Sequence, residues 1–113
     1  MRNIEGIYKV EMLGPYGWEK FSTAFIEGGM FRSASAEHCT SGVYRVKGGS
    51  FKMEGNLTQH IPRRVLFGEK DVKGLPIQFE GAIEDGTING HARVEGREKY
   101  AVPFRLNRLP VLN

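Results

Sequence analysis

From residue 51 to residue 61 the chain alternates with a period of two. Phe51, Met53, Gly55, Leu57, Gln59 and Ile61 fall on one parity, and Lys52, Glu54, Asn56, Thr58 and His60 on the other. Successive side chains of an extended strand point to opposite faces, so such a run is a strand with one wet face. The same period returns along the chain. It places Ile4, Gly6, Tyr8, Val10 and Met12 inward over 4–12, Gly42, Tyr44 and Val46 over 42–47, and Ile77, Phe79, Gly81 and Ile83 over 77–83. Ile88, Gly90, Ala92 and Val94 follow over 88–94, and Tyr100, Val102, Phe104 and Leu106 over 100–106. Residues 19–27 carry Phe21, Thr23 and Phe25 on one side and Lys20, Ser22 and Ala24 on the other, and a short strand runs from Met30 to about Ser35.

Between these runs stand turn signals: Gly14-Pro15-Tyr16-Gly17, Glu27-Gly28-Gly29, Gly48-Gly49, Asp85-Gly86 and Gly96. Glycine supplies the positive φ that tight hairpin loops require. Residues 36–41 are small and polar and read as a loop or an irregular edge. Pro103 has no amide hydrogen to donate, which marks an edge, a bulge or a place where pairing lapses. The 62–75 connection is the longest, and connections of that length tend to be functional or mobile. About eight strands joined mostly by hairpins predict an all-β chain, a small eight-stranded up-and-down antiparallel barrel occupying 1–113 as a single domain, with a two-sheet sandwich as the alternative.

At 113 residues, 40% hydrophobic and 11% aromatic, the chain has a globular composition. Its 15 glycines lack the three-residue period of collagen and mark turns and bulges. Glu5, Lys9, Glu11, Glu19 and Lys20 interrupt the first 25 residues, so no signal peptide or membrane span is expected there. Cys39 is the only cysteine, which excludes an internal disulfide and suggests a reducing, cytoplasmic setting. The Asn56-Leu57-Thr58 sequon reads as chance without a secretory signal.

The ordered motifs Gly6-Ile7-Tyr8-Lys9-Val10, Glu27-Gly28-Gly29, Gly42-Val43-Tyr44-Arg45-Val46-Lys47-Gly48-Gly49, Phe79-Glu80-Gly81 and Ile88-Asn89-Gly90-His91-Ala92 together resemble the GrlR-like family of small bacterial proteins. The founding type of that family is a negative regulator of type III secretion. The resemblance implies a lipocalin-like barrel, a homodimer, and regulation by binding a transcriptional activator. Where the founding member carries an acidic turn between its fourth and fifth strands, this chain has Lys47-Gly48-Gly49-Ser50. Gly6-x-Tyr8 also resembles the Gly-x-Trp opening of lipocalins, in which an aromatic closes one barrel end beneath an arginine of the last strand. Arg105 or Arg108 would fill that place.

Catalytic and metal chemistry have little footing. His38, His60 and His91 lack metal-ligand spacing and are expected in solvent. In Glu37-His38-Cys39, adjacent residues of an extended segment point to opposite sides, so imidazole and thiol would not meet. No enzyme activity, metal or cofactor is expected. Arg63 and Arg64 with His60, Lys70 and Lys73 make the long connection positive, but single-strand nucleic-acid binding wants exposed aromatics among the basic residues. Here Tyr8, Phe51, Phe79, Tyr100 and Phe104 carry inward parity, so nucleic acid is a poor partner. The interior is either filled or holds a small apolar ligand against Tyr8, Met12, Met53, Leu57, Phe79 and Phe104. Gly55, Gly81 and Gly90 serve either reading, by leaving room or by letting strands bend. The expected protein contacts are Lys47, Gly48, Gly49 and Ser50 in the turn and Arg63, Arg64 and Phe67 in the long connection.

Overall fold

A computed structural model describes residues 4–61, 66, 71–94, 96 and 101–110. The alternating segments are strands β1 (Gly6–Gly14), β2 (Gly17–Glu27), β3 (Met30–Ala34), β4 (His38–Lys47), β5 (Ser50–Gln59), β6 (Leu75–Glu84), β7 (Thr87–Val94) and β8 (Val102–Arg108). Each pairs antiparallel with the next, and β8 returns to β1, closing an up-and-down barrel of eight strands. Among the described residues no helix is long and apolar enough to cross a membrane.

Inward parity holds for most of the chain. Phe51, Met53, Leu57, Ile77, Phe79, Ile88, Ala92, Phe104 and Leu106 are all buried. Phe31, Phe79 and Phe104 form the centre, with ring centroids 5.6 Å apart for Phe31–Phe79 and 4.6 Å for Phe79–Phe104. Phe51 packs beside Phe31 at 6.5 Å. Burial of each such ring contributes about 1.5–3 kcal/mol, as does each of the aliphatic side chains packed around them in the same core.

Three sequence expectations need correction, and β2 settles a face that the alternation left open. Residues 38–41 are strand: β4 pairs with β5 from His38↔Gln59 through Lys47↔Ser50. The alternation is present there, but its inward members His38 and Thr40 are polar, so hydrophobicity could not reveal it. His38 is buried, at 4% exposure, and only His60 and His91 lie in solvent. The β5 strand ends at Gln59, short of Ile61. In β2 the buried side is Ser22, Ala24 and Ile26, while Phe25 is 51% exposed.

A bulge explains the last of these. Val10 lies opposite Ser22 but Glu11 lies opposite Lys20, leaving Phe21 as the extra residue of β2. One inserted residue reverses the face on which the following side chains fall. Phe21 itself turns against the core and stacks on His38 at 4.1 Å.

At Pro103 the pairing lapses on one side only: the ladder to β1 stops at Phe104, beside the proline, while pairing with β7 runs on through His91↔Pro103 to Val102. Tyr100 lies outside the described residues.

The two barrel ends are closed differently. At one, Val72 meets the end of β5. The Val72 and Gln59 main chains join through Gln59 N–H to the Val72 carbonyl at 2.8 Å, and Val72 N–H donates to the Gln59 side-chain oxygen at 2.8 Å. Val72 and Leu66 are thereby buried over that end. The other end is closed by the start of β1 and the end of β8.

Candidate functional site

All six residues expected to line a ligand cavity are in the core. Tyr8, Met12, Met53, Leu57, Phe79 and Phe104 are each no more than 7% exposed and belong to one packed cluster. The inward glycines explain themselves by backbone approach. Gly42 lies opposite Gly55, and Gly81 opposite Gly90. A Cβ at Gly90 would strike the Glu80 carbonyl and lie 2.5 Å from the Gly81 Cα, and one at Gly55 would lie 2.9 Å from the Gly42 Cα. These paired glycines let adjacent strands close up where the sheet bends.

At the end closed by β1 and β8, Tyr8 lies under Arg108, whose guanidinium carbon is 5.7 Å from the ring centroid. Of the two candidate arginines it is thus Arg108 that occupies the closing position. It also donates to the Glu5 carbonyl, and the Tyr8 hydroxyl donates to the Ile4 carbonyl at 2.6 Å. Burial raises the Tyr8 phenol above its ordinary value, Arg108 opposes this, and Tyr44 adds to it. A cleft of about 320 Å³ opens here beside Ile83, Gly86 and Ile88.

Arg105 has another role. Its Nε donates to Glu11 Oε1 at 2.7 Å, and its guanidinium covers the Trp18 ring at 4.3 Å. Asn107 also donates to Glu11 Oε1, at 3.0 Å, and Lys9 Nζ is 3.7 Å from Oε2. The Arg105 hydrogen bond holds the Glu11 carboxyl below the usual carboxylate range, partly offset by burial and helped by the charges of Arg105 and Lys9.

At the opposite end, inward Ser22, Ser33, His38, Thr40 and Gln59 form a polar lining beneath a cleft of about 200 Å³ beside Lys20, Phe21 and Glu37. Cys39 is exposed while His38 is buried, so the two point to opposite sides as the strand geometry requires. Among the described residues no three His, Cys, Asp or Glu side chains converge on a metal position.

Lys47, Gly48, Gly49 and Ser50 form a two-residue hairpin loop with positive φ at Gly48 alone, the pattern of a type II′ turn. Its tip is tied to the next strand, since Ile83 N–H donates to the Gly49 carbonyl at 2.7 Å. Beside it lies a cleft of about 600 Å³ lined by Arg45, Val46, Lys47, Ser50, Phe51, Lys52, Glu80 and Gly81. Arg63, Arg64 and Phe67, the other expected contacts, lie outside the described residues.

The outer face carries a surface that the alternation did not single out. Phe25, Met30 and Val43 are 51%, 38% and 55% exposed. Phe25 lies opposite the half-buried Ile7 of β1, Met30 opposite Val43, and Phe25 and Met30 are diagonal neighbours across β2 and β3. Leu109, 36% exposed, joins the row through its N–H to the Ile7 carbonyl. The sequence signal was an apolar residue on the outward parity of successive strands, masked in β2 by the bulge. Compared with protein-family models and with curated proteins, the chain matches none.

Proposed function

We propose that this barrel is a non-enzymatic, cytoplasmic regulatory protein that works by binding other proteins through its outer face, as negative regulators of type III secretion hold a transcriptional activator. Its first partner is a second copy of itself. The observation that carries this reading is the apolar row of exposed Leu109, Phe25, Met30 and Val43 with half-buried Ile7, which crosses the four adjacent strands β1 to β4 and the residue that follows β8. Contiguous exposed apolar surface of this kind marks interaction sites.

The charges beside the row suit a symmetric pair. Arg32 lies opposite Phe25, and Glu27 lies opposite Met30, on crossed corners of the Phe25–Met30 diagonal. A two-fold axis laid along that diagonal sets Arg32 of one copy over Glu27 of the other, twice, as an isologous interface requires. The interior lends a small-ligand carrier no comparable support, because Met53, Leu57, Phe79 and Phe104 are packed on one another.

Light scattering after gel filtration tests the pairing. The wild type should run as a dimer at high concentration and Phe25→Lys as a folded monomer. A wild type that stays monomeric, or a Phe25→Lys variant that still dimerises, would falsify the assignment of this face.

A further inference from the structure

The cleft beside the β4–β5 hairpin departs from what stability alone would select. Arg45 and Lys52 lie directly opposite each other on the paired strands, a like-charge arrangement that destabilises a sheet. Lys47 adds a third cation on the same rim. Lys52 has a loose pair with Glu80 at 4.0 Å, but among the described residues neither Arg45 nor Lys47 has an acidic partner within ion-pair distance. Three cations and one carboxylate therefore surround a concavity of about 600 Å³ whose lining also includes Val46 and Phe51.

From this we infer that the cleft binds an acidic peptide segment of a protein partner, with carboxylates on Arg45, Lys47 and Lys52 and an apolar side chain against the half-buried Val46. The size fits a peptide better than a lone inorganic anion, since about 300–1,000 Å³ is the range of sites that enclose organic ligands. Arginine offers a planar fork that matches a carboxylate with two hydrogen bonds. A nucleic-acid strand would want a ring on which a base can stack. The one aromatic here, Phe51, is 1% exposed and packed against Tyr44 at 5.9 Å, so no such platform is offered. The cleft also adjoins the apolar row, because Val43 precedes Arg45 by one outward position on β4. The assignment rests on the protein-contact reading above and specifies one partner's chemistry.

The test uses the full chain and a fluorescent peptide of alternating Glu and Leu, with an oligothymidylate and inorganic phosphate as competitors. The peptide should bind at low salt and weaken as salt is raised to physiological strength, because exposed charges are screened. Arg45→Glu and Lys52→Glu should each weaken it about tenfold or more, equivalent to about 1.4 kcal/mol. Arg45→Glu should do so with an unchanged or higher melting temperature, since it turns a like-charge pair into an opposite one. That opposed pair of readouts separates lost recognition from lost folding. Peptide binding that ignores both substitutions overturns the inference, and so does oligothymidylate or phosphate that displaces the peptide at equal or lower concentration. Dimerisation of the same variants, read by light scattering, stands or falls separately and reports on the protein-contact reading itself.

Discussion

Gly90 shows how tightly a residue can be fixed by its neighbours' backbone. It faces Gly81 across β6 and β7, and the Glu80 carbonyl occupies the space that a methyl group would need. Neither obstacle is a flexible side-chain end, so Gly90→Ala must push strands apart, at a cost of about 2–3 kcal/mol. Gly49→Ala is the matched control, because nothing lies within 4 Å of its added Cβ and its φ is not positive. That change should stay within about 0.5 kcal/mol. Urea denaturation midpoints check both; equal effects would mean that the paired glycines are not close-approach sites. The sequence marked Gly55, Gly81 and Gly90 as inward and left two readings open. What it lacked was the pairing register, which alone tells that one glycine faces another.

Among elements, the seam between β1 and β8 depends on residues far apart in the chain. Glu11 and Arg105 are direct cross-strand partners, joined at 2.7 Å, with Asn107 and Lys9 on the same carboxylate. Glu11→Gln should cost about 1 kcal/mol at neutral pH, the net worth of a charge-assisted hydrogen bond partly open to water. Because the folded-state carboxyl titrates below its unfolded value, its stabilisation is complete above the ordinary glutamate range and is lost as pH falls through the folded value. The gap between wild type and Glu11→Gln should therefore shrink on acidification, and a gap constant from pH 7 to about pH 3 would refute the ion pair's role. A second pair of elements shows where legibility ended. The inward side of β4 begins with His38 and Thr40, so a strand was hidden by its polar lining. The Thr40 hydroxyl has no hydrogen-bond partner among the described residues. Thr40→Val removes a buried, unpartnered polar group at nearly constant volume, so the melting temperature should hold or rise, and a clear fall would show that the hydroxyl is bonded.

At the scale of the molecule, sequential hairpins and a consistent inward parity made the closed barrel legible before any register was known. The proposed contact surface was not, because the bulge in β2 breaks the alternation that would tell on which face Phe25 falls. Closure also brings Leu109 beside Ile7, with the N–H of one bonded to the carbonyl of the other at 2.8 Å. The described ends of the chain thus lie side by side, and the barrel has no privileged place to be cut. A circular permutant that joins them by a short linker and opens the Gly28–Gly29 turn should fold to the same far-ultraviolet spectrum with cooperative unfolding. A permutant that unfolds without cooperativity would show that the β2–β3 hairpin is needed as a covalent unit.

Because β8 returns to β1, the described residues include no edge strand, and open main chain is confined to short stretches such as 18–22 of β2, which β3 does not reach. Recognition by strand addition, which reads main chain and tolerates many sequences, finds little purchase on such a barrel. A partner must chiefly read its side chains. The outward parity is then a page that can be rewritten residue by residue, with Phe25 or Arg45 exchanged for another vocabulary while Phe79 and Gly90 keep the barrel standing.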